Sequence, residues 1–403
     1  MMTNPFRALG LAALLAVAST HRSAAQTEPR RPALPAGADS NDARAWYRLG
    51  LSRLEGDPRQ AADAFGWASR LDPHWADPLY ARRVALLMSN RSLLLGYYSG
   101  TESAWRQAQP ADSLAAHALE MDPFLNRNLE GQLARAYLDA AIERDTRGGE
   151  TRDQLTEVER AHLSSLILAQ QTPATRAWLA AADGDLDVAL RFYDQAIHDA
   201  RYKSDLYADR GRVLALRGDL AGALLSFQSA IASRGAEQNR RLVFLYQSRA
   251  QYQETVGALH ERLGHADSAR AAFGAALQED LSFAYAHAHL AALSLAAGDT
   301  AGAMGELALA VQIRPADPGL RVDAATMLAA TGHVEEAVEH LKRAVELDPA
   351  YADPYVMLGR LHDASSLAAD ALRYYDAFLA HAARTHPQYE WARQRAAQLR
   401  AAQ

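Results

Sequence analysis

An all-α solenoid of stacked antiparallel helix pairs is the fold class this sequence predicts, on three observations. The apolar residues, 49% of the chain, are mostly Ala and Leu, with β-branched residues sparse, a balance that favours helix over strand. Glycines return at a fixed interval: Gly184, Gly218, Gly264, Gly298 and Gly332 lie 34, 46, 34 and 34 residues apart, and Ser366 adds another interval of 34. Small and bulky residues then keep register with those glycines, as expected where one supersecondary unit is repeated lengthwise.

Five residues after each turn position stands an alanine: Ala189, Ala223, Ala269, Ala303, Ala337 and Ala371. Four further on is a bulky residue: Tyr193, Phe227, Phe273, Leu307, Leu341 and Tyr375. Three beyond that come Ala196, Ala230, Ala276, Ala310 and Ala344, with Phe378 breaking the column. Seven before each turn is another small residue: Ala177, Gly211, Gly257, Ala291, Ala325 and Gly359. Small columns let helix axes approach, and the bulky column fills the space between them. A turn glycine adopts positive φ without strain, and Asp57, Asp185, Asp219 and Asp299 after the turns are placed to cap the second helices. On this register Ala303 faces the neighbouring helix, and Arg314, in the same unit, projects outward.

An earlier copy reads Trp46, Leu49, Gly50, Gly56, Ala61, Phe65, Ala68, Pro73, and another opens with Tyr355, Leu358, Gly359. With the columns above, this pattern resembles the tetratricopeptide-repeat family over about 42–73 and 174–380. The resemblance implies a right-handed superhelix whose first helices line a concave groove that accepts peptides or partner helices. Transferring that register puts Trp178, Asp209, Arg212, Glu254, Tyr285, His289, Asp323, Arg360 and Asp363 on or near the inner face. Arg212 and Arg360 would offer guanidinium groups to a partner carboxylate. The lysines and asparagines of the family's carboxylate clamp are absent there, which argues against recognition of a chaperone's acidic C-terminus.

The expected organisation is a signal peptide (1–25), a flexible leader (26–41), a first repeat (42–73), an irregular helical region with an insertion (74–172), six tandem repeats (173–380) and a capping helix (381–403). Within the irregular region, Ala111–Pro123 reads as a second helix and Leu129–Glu143 as a first. Between Ser89 and Pro110 lies an apparent insertion whose Tyr97, Tyr98 and Trp105 form a second candidate surface, since exposed Tyr and Trp are typical anchors. Asp145–Asp153 reads as a second irregular loop. The twelve extra residues of the 46-residue interval are expected in an extended helix near Leu242–Leu263.

At the N-terminus, Arg7, the eleven-residue apolar run Ala8 to Ala18 and the small residues Ser23-Ala24-Ala25 read as an export signal cleaved near Ala25. Eleven helical residues span roughly 16 Å, too short for a transmembrane anchor. A mitochondrial presequence is the other reading, opposed by having only Arg7 and Arg22 as basic residues. The destination expected is the periplasm or the exterior. Losing 1–25 removes two arginines and no acid, moving the formal charge from −6 to −8, and no basic stripe forms around Arg82-Arg83 or Arg240-Arg241. Nucleic acid is therefore excluded as the expected partner.

Catalytic signatures are missing. The chain has no cysteine, no G-x-S-x-G elbow, no phosphate loop and no dinucleotide fingerprint, so no cofactor or metal is expected. His260 and His265 are five apart where a zincin needs four, and His265 and His333 follow turn positions where local hydrogen bonding is expected instead. His287 and His289 point to different sides of one helix. The sequence thus reads as an exported scaffold or adaptor binding protein or peptide, within a cell-envelope assembly. The alternatives are a glycan- or peptide-recognition module, or an enzyme seated in 74–172.

Overall fold

A computed structural model describes residues 29–98, 101–125, 129–145, 172–237 and 248–402. The signal peptide, Arg240-Arg241 and most of Asp145–Asp153 lie outside these residues. The described chain is helical without strands, and the helices are numbered here in order. The first is α1 (Ala43–Arg53), paired with α2 (Pro58–Leu71). Next come α3 (Ala76–Met88), α4 (Arg91–Tyr98), α5 (Glu102–Met121) and α6 (Glu130–Asp145). Six consecutive pairs follow: α7 (Pro173–Ala182) with α8 (Leu186–Asp199), α9 (Ser204–Leu216) with α10 (Leu220–Ala236), and α11 (Arg249–Arg262) with α12 (Ala266–Glu279). Then α13 (Ala284–Ala296) packs on α14 (Thr300–Ile313), α15 (Pro318–Ala330) on α16 (Val334–Leu347), and α17 (Asp353–Ala364) on α18 (Ala368–His381). The last helix, α19 (Tyr389–Ala401), closes the array by setting Ala392, Ala396 and Leu399 against α18. The chain is an α-solenoid of stacked antiparallel helix pairs.

The turns explain the glycine column. Each of Gly184, Gly218, Gly264, Gly298 and Gly332 has φ between 76° and 89°, and Ser366 follows with φ 61°. In every case the next residue's N–H reaches back to a carbonyl five residues earlier, as Asp219 does to Leu214 at 2.9 Å and Leu367 to His362 at 2.9 Å. This closes the first helix and reverses the chain. Asp57, Asp219 and Asp299 then cap the second helices from their carboxylates, whereas Asp185, His265 and His333 make no side-chain cap bond.

Every member of the four columns is buried, and the alanines five residues after the turn are fully so. The small residue of each first helix meets the bulky residue of its second helix. A methyl group on Gly257 would lie 2.7 Å from Phe273, one on Gly211 2.7 Å from Phe227, and one on Gly359 2.5 Å from Tyr375. Where the small residue is alanine, as at Ala291 and Ala325, the facing residue is Leu307 or Leu341, a thinner side chain in the same cluster. Ala177 with Tyr193 departs from this compensation. We therefore expect Gly257→Ala to cost about 1–3 kcal/mol by overpacking. Adding Phe273→Leu should return much of that loss, because it copies the Ala291–Leu307 solution. Urea unfolding of both single variants and the double checks this. Simple additivity of the two losses would show that the pair is not coupled.

Two local expectations are corrected. Helix α11 has the ordinary length and starts at Arg249; the longer helix in the 46-residue interval is α10, which runs on to Ala236. Leu242 to Gln247 lie outside the described residues. Pro110 does not end the insertion: α5 passes through it, because Ala104 and Ala108 before it and Ala111 and Ala115 after it are all buried on the same helix. Helix α5 pairs with α3, leaving α4 as the inserted piece.

Candidate functional site

The inner face was expected to be open, but the chain's own N-terminal third covers part of it. Polar contacts tie residues 39–122 to residues 262–384 in opposite chain directions. Asn41 donates through Nδ2 to the Ala380 carbonyl at 2.8 Å, and the Arg384 amide donates to Asp39 at 2.9 Å. Arg70, at the end of α2, binds both oxygens of Asp348 at 3.0–3.2 Å. His74 sits between Asp323 and the Tyr351 hydroxyl, 3.1 Å from each. On α5, His117 lies 3.2 Å from the Tyr285 hydroxyl and 3.3 Å from Asp317, while Glu120 accepts two 2.8 Å bonds from Arg314. Arg262 ends the seam beside Asp122 at 3.5 Å, its guanidinium 3.9 Å over the Phe124 ring.

The repeat builds one side of this seam. Arg314, Asp348 and Ala382 are the residues that end α14, α16 and α18, one repeat length apart. The chain leaves each second helix at the same edge of the array, so equivalent positions form a row. Clefts remain along it. One of about 430 Å³ lies between Arg70, Pro73 and His117 on one side and Arg314, Asp317 and Asp348 on the other. Another, about 460 Å³, lies between Arg31, Asn41 and Trp67 and the residues Pro349, Ala380 and His381.

Electrostatics at the seam follow from burial and pairing. Burial pushes Glu120 up despite the charge and hydrogen bonds of Arg314. Glu254 is fully enclosed; burial, then the charge of Glu120, drive it well above the usual carboxylate range, although Gln251 donates to it at 2.5 Å. Glu120 holds the Arg314 guanidinium directly, and Glu254 feels only its charge. Burial alone would depress His74, but its bond to Asp323 and the charges of Asp323, Asp72 and Asp317 outweigh it and push it up to about 9. A histidine whose folded value is raised stabilises fully below its unfolded value, near 6.5, and loses that contribution as pH climbs through about 9. Wild type should therefore melt above His74→Gln by a margin that is widest below about pH 6.5 and gone by about pH 10. A margin independent of pH would show that His74 acts only by packing.

The residues expected on the inner face have different surroundings. Glu254, Tyr285 and Asp323 face Glu120, His117 and His74 of the same chain. Tyr285 also donates to Asp317 at 3.0 Å. His289 stacks on Phe273 at 4.8 Å and pairs with Glu261 at 2.8 Å, while His287 turns the other way to Glu306 at 2.6 Å. Asp363 is held by Arg395 of α19 at 2.6 and 2.8 Å. Arg212 is buried beside Asp209, 2.9 Å away, with its guanidinium 5.7 Å from the Phe227 ring. The expectation that Arg212 is offered to a partner is corrected: it supports its own repeat. Arg360 is exposed, 5.5 Å over the Trp391 ring, and Trp178 is half-buried.

Two further corrections concern exposure. Tyr97 is buried, its hydroxyl accepting from Arg83 and donating to Asp112, and Trp105 donates its indole N–H to the Tyr97 carbonyl at 2.9 Å. These aromatics pin the insertion to the scaffold; the side chain of Tyr98 lies outside the description. Arg314 does not project outward, because α5 returns to meet it. The seam pairings were missed because they join positions 140 to 345 residues apart, and no period marks them. Among the described residues no group of three or more His, Asp or Glu side chains is arranged to hold a metal, and no helix is long and apolar enough to cross a membrane.

Residues 294–357 match the tetratricopeptide repeat family. No curated protein matches the sequence. The fold is similar to that of solved structures at low identity. Yeast Tom70 is 12% identical with a TM-score of 0.44, over 90% of this chain and 89% of that one. YrrB, described as a TPR protein with an unusual peptide-binding site, is 18% identical with a TM-score of 0.39, over 50% of this chain and 97% of that one. PilW, a type IV pilus biogenesis factor, is 16% identical with a TM-score of 0.43, over 54% and 96%.

Proposed function

We propose that this tetratricopeptide-repeat solenoid is an exported scaffold of the cell envelope that holds a protein partner rather than catalysing a reaction. The observation that carries the reading is the array itself: stacked helix pairs present a row of first helices whose side chains converge on one face. Partner contact falls to the part of that face beyond the chain's own seam, around Trp178 on α7, and to the exposed Arg360 on α17. Among the described residues of 74–172, the cluster of Arg83, Tyr97 and Asp112 is bonded to itself, which favours a structural role for it. The export signal at 1–25 supports the location, and the mature N-terminus is expected at Gln26 or within a few residues of it. Mass spectrometry finding Met1 intact in the envelope fraction would remove export from the proposal.

Crosslinking the tagged protein in its own cells tests the binding reading. Arg360→Glu should lower capture of the wild-type partner several-fold while helical circular dichroism is kept. The cation–π contact it removes is worth only about 0.5–1 kcal/mol at an exposed site. Trp178→Gln should lower capture as well. Full capture by both variants, with crosslinks mapping to the exposed Leu225 and Leu309 of the second helices, would move the contact to the outer face.

A further inference from the structure

The cleft that closes the solenoid between its first and last repeats has the makings of a binding site separate from the inner face. Residues 29–41, expected as part of a leader, lie across α2: the Trp67 indole donates to the Arg30 carbonyl at 2.9 Å, and Asp63 accepts the Arg30 amide at 3.2 Å. This fixes Arg31 with its guanidinium 4.8 Å from the Trp67 ring and 5.7 Å from Trp46. Arg70 occupies the same indole at 4.6 Å, but its charge is met by Asp348. Arg31 has no carboxylate within ion-pair reach among the described residues, and it is exposed at the mouth of the 460 Å³ cleft.

We propose that this cleft binds a carboxylate-bearing segment of a peptide, with Arg31 as its anchor. A guanidinium held on aromatic rings has given up much of the side-chain freedom that a salt bridge ordinarily costs, and it presents a planar fork matched to a carboxylate. The opposite wall, Pro349, Ala350 and Ala380, is small and apolar, suited to a backbone lying alongside. An acidic sugar fits less well. The Trp67 ring already carries two guanidinium groups and a neighbouring indole, which leaves little aromatic face for a pyranose to stack on.

The test uses the chain from residue 26 onward and fluorescein-labelled, C-terminally amidated tetraglutamate, compared with tetraglutamine of the same form. Anisotropy should show the glutamate peptide binding about tenfold or more tightly than the glutamine peptide in low salt, the charge-assisted pair being the difference. Arg31→Gln should bring the glutamate peptide down to the level of the glutamine peptide, and Arg31→Lys should keep part of the preference. Equal binding of the two peptides, or unchanged binding by Arg31→Gln, overturns the proposal. Tighter binding of oligogalacturonate than of tetraglutamate also overturns it, in favour of a glycan. Because Arg31 lines the cleft and neither Trp178 nor Arg360 does, native-partner capture by Arg31→Gln separates this site from the scaffold reading: either can fail alone.

Discussion

Arg314→Ala is expected to destabilise the protein by about 3 kcal/mol or more, the loss typical when one partner of a buried ion pair is removed. The arginine is three-quarters covered and gives two hydrogen bonds to Glu120, which is itself enclosed beside Glu254. Without it, two neighbouring carboxyls are left in an enclosed site without their guanidinium. Glu120 is already pushed above its ordinary value by burial, so the folded variant holds a proton there more tightly than the unfolded chain does. The sign follows: the deficit should be small near pH 4, where both states are protonated, and should grow as pH rises. The double change Arg314→Met with Glu120→Leu should recover most of the loss, since an apolar pair of similar volume is often no worse than the ions. Urea unfolding from pH 4 to 8 checks both statements; a deficit that is flat with pH, or losses that add in the double variant, would assign the effect to packing alone.

A comparable loss is expected from Ala303→Arg. Ala303 is wholly enclosed on α14, in line with Leu307, Ala310 and Val311 on the face turned to its neighbours. A side chain of this size has no room there, and overpacking alone costs about 1–3 kcal/mol. Burying its charge without a partner adds to that. Ala308 lies on the opposite, exposed face of the same helix, so Ala308→Arg should change stability by less than about 0.5 kcal/mol. Equal effects at the two positions would mean that the face assignment of the second helices is wrong.

These two residues mark what can and cannot be read along the chain. Ala303 belongs to a column repeated six times, and a column that recurs at one period encodes a contact made between adjacent elements. The turn glycines, the enclosed alanines and the Gly–aromatic partners all belong to that short-range grammar. Arg314 shares its register with Asp348 and Ala382, three unlike residues, so the position carries no repeated identity. Its partner lies on α5, 194 residues away. The inner-face assignment of Tyr285 and Asp323 followed from the helix register. That the occupants facing them would be His117 and His74 depended on how far the array curls, which is summed over many small rotations between pairs. The same gap explains Tyr97: composition marks an aromatic as an anchor, but only the position of Arg83 and Asp112 says to what.

A stacked array normally unfolds as a line of domino-like neighbours, each unit feeling only the next. The Arg70–Asp348 and Asn41–Ala380 bonds turn that line into a loop, linking positions 278 and 339 residues apart. Such a loop has no true interior and no true end: trimming the first helix pair removes the neighbour of α16 and α18 as surely as it removes the neighbour of α3. Closing it requires the whole array to be in place first, because contacts of such sequence separation are repaid only after the chain entropy between them has been lost. The meeting of the two extremities is therefore expected late in folding.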